Sequence, residues 1–232
     1  MEEPDQFLKI MENLRSKENP ANREGMSRFG INTSSALGVP MPVLRRMAKQ
    51  IGRDHHLAMQ LWESGVHEAR ILACLIDAAE EVTEEQMDTW VKDFNSWDLC
   101  DQCCSNLFDK TPFAWGRALD WSGRQEVFVK RAAFVLMAAL AVHDKKTPDE
   151  GFFQFFPLII RESGDERNFV KKAVNWALRQ IGKRSTQLNA RAMETARSLI
   201  RSDNPATRWI GRDALKELTG DALQKKLQRI EG

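Results

Sequence analysis

Residues 128–132 read FVKRA and residues 169–173 read FVKKA, two near-identical segments 41 positions apart. A fainter third copy follows: setting Ala177-Leu178 against Ala214-Leu215 places Arg208 opposite Lys171 at an offset of 37. Earlier in the chain, Arg70 and Trp97 begin comparable segments. Outward from these copies, apolar residues recur at three- and four-residue spacing, whereas period-2 alternation rich in Val, Ile and Thr is nearly absent. The chain therefore reads as all-α. Helices are predicted over residues 4–17, 42–51, 55–63, 66–80, 84–93, 97–108, 112–119, 125–142, 149–162, 167–182, 186–201 and 205–217, each flanked by caps or breakers.

A repeat of this length with two helices per unit indicates an α-solenoid of HEAT-like two-helix repeats, whose stacked units share a continuous core and expose one concave face. With 232 residues and no interrupting linker, a single domain over residues 1–232 is expected. A hydrophobic content of 42%, a charged content of 29% and 13 glycines exclude collagen, low-complexity chains and unfolded polyelectrolytes. The acidic start MEEPDQ lacks the basic and apolar regions of a signal peptide, and no stretch approaches the roughly 18 apolar residues that span a bilayer. A soluble, cytoplasmic protein without a membrane partner is the expectation. Cys74, Cys100, Cys103 and Cys104 are too few and too bunched for a disulfide framework, so reduced thiols are expected.

Formal net charge is only +1, but it is unevenly distributed: residues 117–232 hold 22 Lys+Arg against 14 Asp+Glu, and residues 1–116 hold 12 against 19. A net +8 following a net −7 points to a polyanion for the C-terminal half and, on a solenoid, to a concave basic groove.

Three helices carry residues that their own pattern does not require. In 167–182, Val170, Val174, Ala177, Leu178 and Ile181 share the apolar side, while Trp176 falls opposite with Lys172, Arg179 and Lys183. Either Trp176 packs on an adjacent repeat beneath solvated cations, or the stripe meets sugar and phosphate. In residues 95–108, Asn95 or Ser96 is the N-cap, and Leu99, Cys100, Cys103 and Leu107 form the apolar side. Trp97 and Asp101 lie outside it, one turn apart, with Asp98 placed to cap. Helix 125–142 is apolar nearly all round apart from Lys130 and Arg131; the arginine needs either a protein carboxylate or an external anion. Arg197 with Arg201, and Arg208 with Arg212 and Lys216, either extend a phosphate-tracking surface or form ordinary solvent faces.

Cys100-x-x-Cys103-Cys104 is half a zinc site with no second pair, so no metal is expected. A thioredoxin-like role would require a strand before the cysteines, and none is predicted. His55, His56, His67 and His143 are scattered without a nucleophile partner, and dinucleotide and P-loop glycine patterns are absent.

Gly38-Val39 with Pro42 and Arg45, then Trp97-Asp98-x-x-Asp101, then Lys130-Arg131-Ala132-Ala133, then Lys172-Ala173-x-x-Trp176-x-x-Arg179 occur in an order that resembles the AlkD-type DNA alkylation repair family, across most of residues 26–217. The resemblance implies a HEAT-like-repeat DNA glycosylase that removes cationic N3- and N7-alkylated purines from duplex DNA. By it, Asp101 matches the catalytic aspartate, Trp97 and Trp176 match two tryptophans that embrace the lesion's backbone, and Arg131 matches a phosphate-contacting arginine. Asp98 is read as structural. Where the family carries a tyrosine in Met-x-Arg-Tyr, this chain has Phe29 after Met26-Ser27-Arg28. Ser96 stands where the family can show a further tryptophan.

An alkylated purine is already a good leaving group, so the enzyme's task is to stabilise positive charge on the departing sugar. A carboxylate between two indoles would supply that stabilisation. The expected activity is hydrolysis without a lyase step, because no lysine is placed as a nucleophile beside Asp101. It would be carried out by a monomer without a cofactor, in a bacterial cytosol or nucleoid. The competing reading is a non-catalytic repeat protein that binds DNA structure or a protein partner on the same surface.

Overall fold

The computed structural model describes residues 6–231, with side chains through residue 229. Its regular structure is helical throughout: α1 (Gln6–Arg15), α2 (Pro20–Arg28), α3 (Met41–Ile51), α4 (His55–Glu63), α5 (His67–Ile76), α6 (Glu84–Trp90), α7 (Trp97–Asn106), α8 (Ala114–Trp121), α9 (Val127–His143), α10 (Phe155–Glu162), α11 (Asn168–Gly182), α12 (Thr186–Ile200), α13 (Pro205–Leu218) and α14 (Asp221–Glu231). Short 3-10 segments lie at Val91–Asp93, Phe108–Lys110 and Asp149–Gln154. The predicted helix 149–162 thus divides into a 3-10 segment and α10, and two helices, α2 and α14, appear where none was predicted. The fold separates into two compact units, Met1–Thr111 and Pro112–Gly232.

In Met1–Thr111, α5 packs against α3, α4 and α7, while α1 covers α4 and α5. Leu44, Leu61, Leu72 and Ile76 of these helices are fully buried, as are Met87 and Trp90 of α6 and Phe108 of the 3-10 segment that follows α7. Trp62 stacks on Trp90 with ring centroids 3.9 Å apart. The Trp62 indole donates to Asp93 Oδ2 at 2.9 Å, where Arg70 Nη2 also donates at 3.1 Å. Asp54 and Thr83 cap α4 and α6 by accepting from Leu57 N and Gln86 N; such caps contribute about 1 kcal/mol each.

In Pro112–Gly232 the repeated segments lie side by side. α11 packs on α9, α13 packs on α11, and α12 packs on both α11 and α13. Phe128 and Phe169, the first residues of the two copies, have ring centroids 5.5 Å apart, so the 41-residue offset corresponds to lateral register. Residues Val129 to Ala141 of α9 are buried without interruption. That run includes two cations. Lys130 Nζ reaches Glu162 at 2.5 Å and Asp165 at 3.4 Å, so its charge is compensated inside the fold. Breaking such a buried pair by removing one partner costs about 3–5 kcal/mol. Arg184, two residues beyond α11, donates to Asp149, to the carbonyls of Ala141, Asp144 and Thr147, and lies 4.4 Å from the Phe152 ring centroid. It thereby ties α11 to the loop that leaves α9. α12 and α13 approach closely at Gly211, where an added Cβ would sit 2.6 Å from the Ala196 carbonyl oxygen.

Candidate active site

In α7 the apolar side turns inward as its pattern dictates, with Leu99, Cys100, Cys103 and Cys104 buried. Trp97 and Asp101, on the other side, are half-buried. Trp97 is the first residue of the helix, and its indole Nε1 donates to the Phe29 carbonyl at 3.1 Å. Phe29 follows the last residue of α2, and its ring is 75% exposed. The structure therefore brings Phe29 and Trp97 together and sets Asp101 one turn along the same helix.

Ser96 holds the N-cap position of α7, but its hydroxyl donates to Asp98 Oδ1 at 2.7 Å instead of capping the backbone. Asp98 Oδ2 is 2.8 Å from His67 Nε2. Burial pushes the Asp98 carboxyl up, but hydrogen bonds from His67, Ser96 and the Leu99 N–H outweigh it and hold the group below the usual aspartate range. An ionised carboxylate only accepts, so His67 Nε2 carries the proton. This pair was not anticipated from the sequence, which left His67 without a partner. Its geometry also differs from a nucleophilic triad, because Ser96 bonds to the aspartate and not to the imidazole.

Next to His67, the buried Glu68 accepts backbone N–H groups from Leu37 at 2.8 Å, Gly38 at 2.6 Å and Val39 at 3.2 Å. The Gly38-Val39 motif is thus held by a carboxylate. A cavity of about 340 Å³ opens in this unit, with Trp97, Asp98 and His67 among its lining residues.

The remaining candidates lie in Pro112–Gly232. The predicted apolar stripe of α11 is fully buried, and Trp176 lies outside it, half-buried. With the Gln180 amide oriented to satisfy both its ends, its oxygen accepts from Trp176 Nε1 at 2.8 Å and from Lys183 Nζ at 3.3 Å. Arg179 and Lys183 both pair with Glu217 of α13, Lys183 at 2.6 Å. Burial raises the Glu217 carboxyl, but the two cations prevail and lower it. Half of the stripe is therefore paired within the fold, while Lys172 is exposed. Arg131 is 5% exposed, and its Nη1 donates to the Phe169 carbonyl at 2.7 Å. Arg208 donates to the carbonyls of Ser202 and Asp203 at 3.0 and 2.7 Å, and Arg212 is exposed. Trp209 was not singled out from the sequence. It is exposed, with Lys171 Nζ 5.0 Å from its ring centroid. The 37-residue offset sets it opposite Lys172, a signal already available in the repeat.

Among the described residues, no group of three His, Cys, Asp or Glu side chains is arranged to hold a metal ion. No described helix is long and apolar enough to cross a membrane.

A family model described as DNA alkylation repair enzyme matches residues 10–218. A solved structure, described as a new family of proteins related to the HEAT-like repeat DNA glycosylases with affinity for branched DNA structures, superposes with a TM-score of 0.75 and 18% identity, covering 90% of this chain and 94% of that one. At that identity the likeness is one of fold, and the fold is the HEAT-like repeat. An engineered protein superposes at a TM-score of only 0.39 and 12% identity, over 76% of this chain and 90% of its own, too weakly to bear on either fold or function. No curated protein matches the sequence.

Proposed function

The chain belongs to the DNA alkylation repair enzyme family, and on that premise we propose that it is a monofunctional DNA glycosylase hydrolysing the N-glycosidic bond of cationic N3- or N7-alkylated purines in duplex DNA. The observation that carries this reading is the pairing on α7: an aspartate one turn beyond a tryptophan, both outside the buried side of the helix. A surface that only tracked phosphates would gain nothing from a carboxylate there, because like charges repel. A glycosylase uses one.

In this reaction the alkylated base leaves with its bonding electrons and becomes neutral. Positive charge develops on C1′ and the ring oxygen of the deoxyribose. The Asp101 carboxylate stabilises that charge or orients the water that attacks C1′, and the Trp97 indole adds cation–π attraction to the same sugar. Water supplies the hydroxyl that remains on the abasic sugar, and its other proton passes to solvent. No strong general acid is needed, because the leaving group is already cationic. In the C-terminal unit, Trp176, Lys172, Arg179, Lys183, Arg208 and Arg212 are assigned to DNA contacts, and Arg131, 5% exposed, to a phosphate contact that requires its guanidinium to turn outward. A cytoplasmic monomer acting without a cofactor fits this chemistry.

A second reading is binding of branched DNA without base release. It is favoured by Phe29, which lacks the hydroxyl of the family's tyrosine, and by the affinity for branched DNA ascribed to the protein of similar fold. Base release from methylated duplex DNA by wild type and Asp101→Asn decides between the two. Release that falls about 10²-fold or more in the variant supports the glycosylase. Equal release by both removes Asp101 from the reaction. No release by either, with tight binding of a four-way junction, establishes the second reading.

A further inference from the structure

Trp209 has no part in the reaction or in the DNA contacts assigned above. It is the fifth residue of α13, the position that Lys172 holds in α11 and Arg131 holds in α9. The repeat therefore puts all three in one register, on helices that pack side by side. A single exposed apolar side chain signifies nothing by its exposure alone. What surrounds this one does.

α11 and α13 meet along a ladder of side chains 38 positions apart. Asn175 Nδ2 donates to Asp213 Oδ2 at 2.6 Å, and Arg179 pairs with Glu217. One turn nearer the helix starts, the rung is Lys171 with Trp209, the ammonium standing 5.0 Å from the ring centroid. Two rungs answer the α11 side chain with a carboxylate, and the third answers it with an indole. Cation–π attraction orients an ammonium without neutralising it, so Lys171 keeps its charge. Among the described residues, Lys171, Lys172 and Arg212 have no carboxylate within ion-pairing distance, and Arg208 bonds to carbonyls.

The indole also has a donor to give. Trp62, Trp97, Trp115 and Trp176 each commit the N–H to an acceptor in the fold. Trp209 Nε1 has no acceptor among the described residues, and the residue is 39% exposed. A flat apolar ring with an open N–H, set among uncompensated cations on a helix surface, matches a chain in which apolar sugar edges alternate with anions. That chain is the DNA backbone, the part of a duplex that most protein contacts reach. We infer that Trp209 and Lys171 form a backbone site of their own: the indole lies on one deoxyribose, while its N–H and the Lys171 ammonium take the flanking phosphates. This rests on the reading that the protein acts on DNA, but it does not require base release.

The test is anisotropy titration of the full chain with a blunt, fully paired duplex over a series of salt concentrations. Trp209→Ala should weaken binding by about fivefold, or roughly 1 kcal/mol, the lower end of what one aromatic contact to nucleic acid contributes. The plot of log affinity against log salt should keep its slope, because the indole carries no charge. Lys171→Ala should weaken binding and flatten that slope by about 0.9. Trp209→Met, which keeps an apolar side chain without the flat ring, should repeat the loss seen with alanine, and an unchanged urea midpoint in either variant shows that the fold is intact. Wild-type affinity in both Trp209 variants overturns the inference and leaves the proposed function standing. A slope flattened as in Lys171→Ala also overturns it, since Trp209 would then only aim the lysine. So does a loss confined to DNA with a single-stranded overhang, where the ring would stack on an unpaired base. No duplex binding by the wild type overturns both this inference and the proposed function.

Discussion

Glu68 holds Gly38: the buried carboxylate accepts the glycine N–H at 2.6 Å, and the same oxygen takes the Val39 N–H at 3.2 Å. Gly38 itself has φ of +80°, and a Cβ there would stand 2.3 Å from the Asn19 carbonyl oxygen, backbone against backbone. The loop that leads from α2 to α3 is thus fixed from two sides.

Gly38→Ala is therefore expected to destabilise the protein by about 1–3 kcal/mol, from a strained backbone and a contact that can be relieved only by moving α2. Glu68→Gln should cost a comparable amount, because a charged acceptor serving three N–H groups is replaced by an amide with one acceptor oxygen. Urea denaturation followed by circular dichroism checks both. A change below about 0.5 kcal/mol, the size usual for a bland surface site, would show that the loop is not held in this way.

The paired carboxylates set the acid limit of stability. Asp98 lies below the usual aspartate range, and Asp144 is lowered to about 2: burial raises it, but Thr147, the Trp115 indole and the Lys146 N–H outweigh that effect. A carboxyl lowered in the folded state contributes stability that is complete above its unfolded value, about 3.9, and is lost as pH falls through the folded one. Asp77, raised by burial against its bonds to His55 and Gln86, acts in the opposite sense. Its contribution is present at low pH and fades as pH rises. Removing Asp144 as Asp144→Asn should lower the urea midpoint at pH 7 and have a smaller effect near pH 2. An equal deficit at both values would mean that the charge is not what matters.

Elements whose information is local were legible in the sequence. Val170, Val174, Ala177, Leu178 and Ile181 declare the inner face of α11 through their spacing, and all five are buried. The FVKRA and FVKKA copies declare the repeat, and Phe128 lies beside Phe169 as the offset requires. α2 gave no such signal, since PANREGMSR buries no residue and so carries no apolar stripe. Only its start was readable, in Asn19 as the cap and Pro20 as the first residue. His67 and Asp98 stand 31 positions apart on different helices, and their pairing follows from how α5 meets α7, which no local pattern encodes. The same holds for the cationic stripe: spacing reveals Arg179 and Lys183 on one face but not Glu217, which reaches them from α13.

The four cysteines stand as thiols and are fully buried. Burial, together with neighbouring thiols, pushes Cys103 and Cys104 well above the usual thiol range, so neither offers a thiolate at neutral pH. Iodoacetamide at pH 8 should leave the native protein unmodified over a period in which the urea-unfolded chain takes up four labels, as read by intact mass. Rapid labelling of any one cysteine in the native state would place that thiol at the surface.

Glu217 provides the sharpest check on the phosphate-binding role of α11. Arg179 and Lys183 share this one carboxylate, so in the free protein their charge is already answered. If DNA competes for them, Glu217→Gln removes the nearer competitor and leaves only Asp213, 3.8 Å from Arg179. Duplex affinity should rise several-fold at low salt, and the plot of log affinity against log salt should steepen by about 0.9 for each cation newly engaged with a phosphate. The anisotropy titrations that measure this also separate the alternative. Were Glu217 instead required to aim the two cations at the backbone, the same substitution would weaken binding and flatten the slope, and Arg179 and Lys183 would be held in place by their partner, not withheld by it.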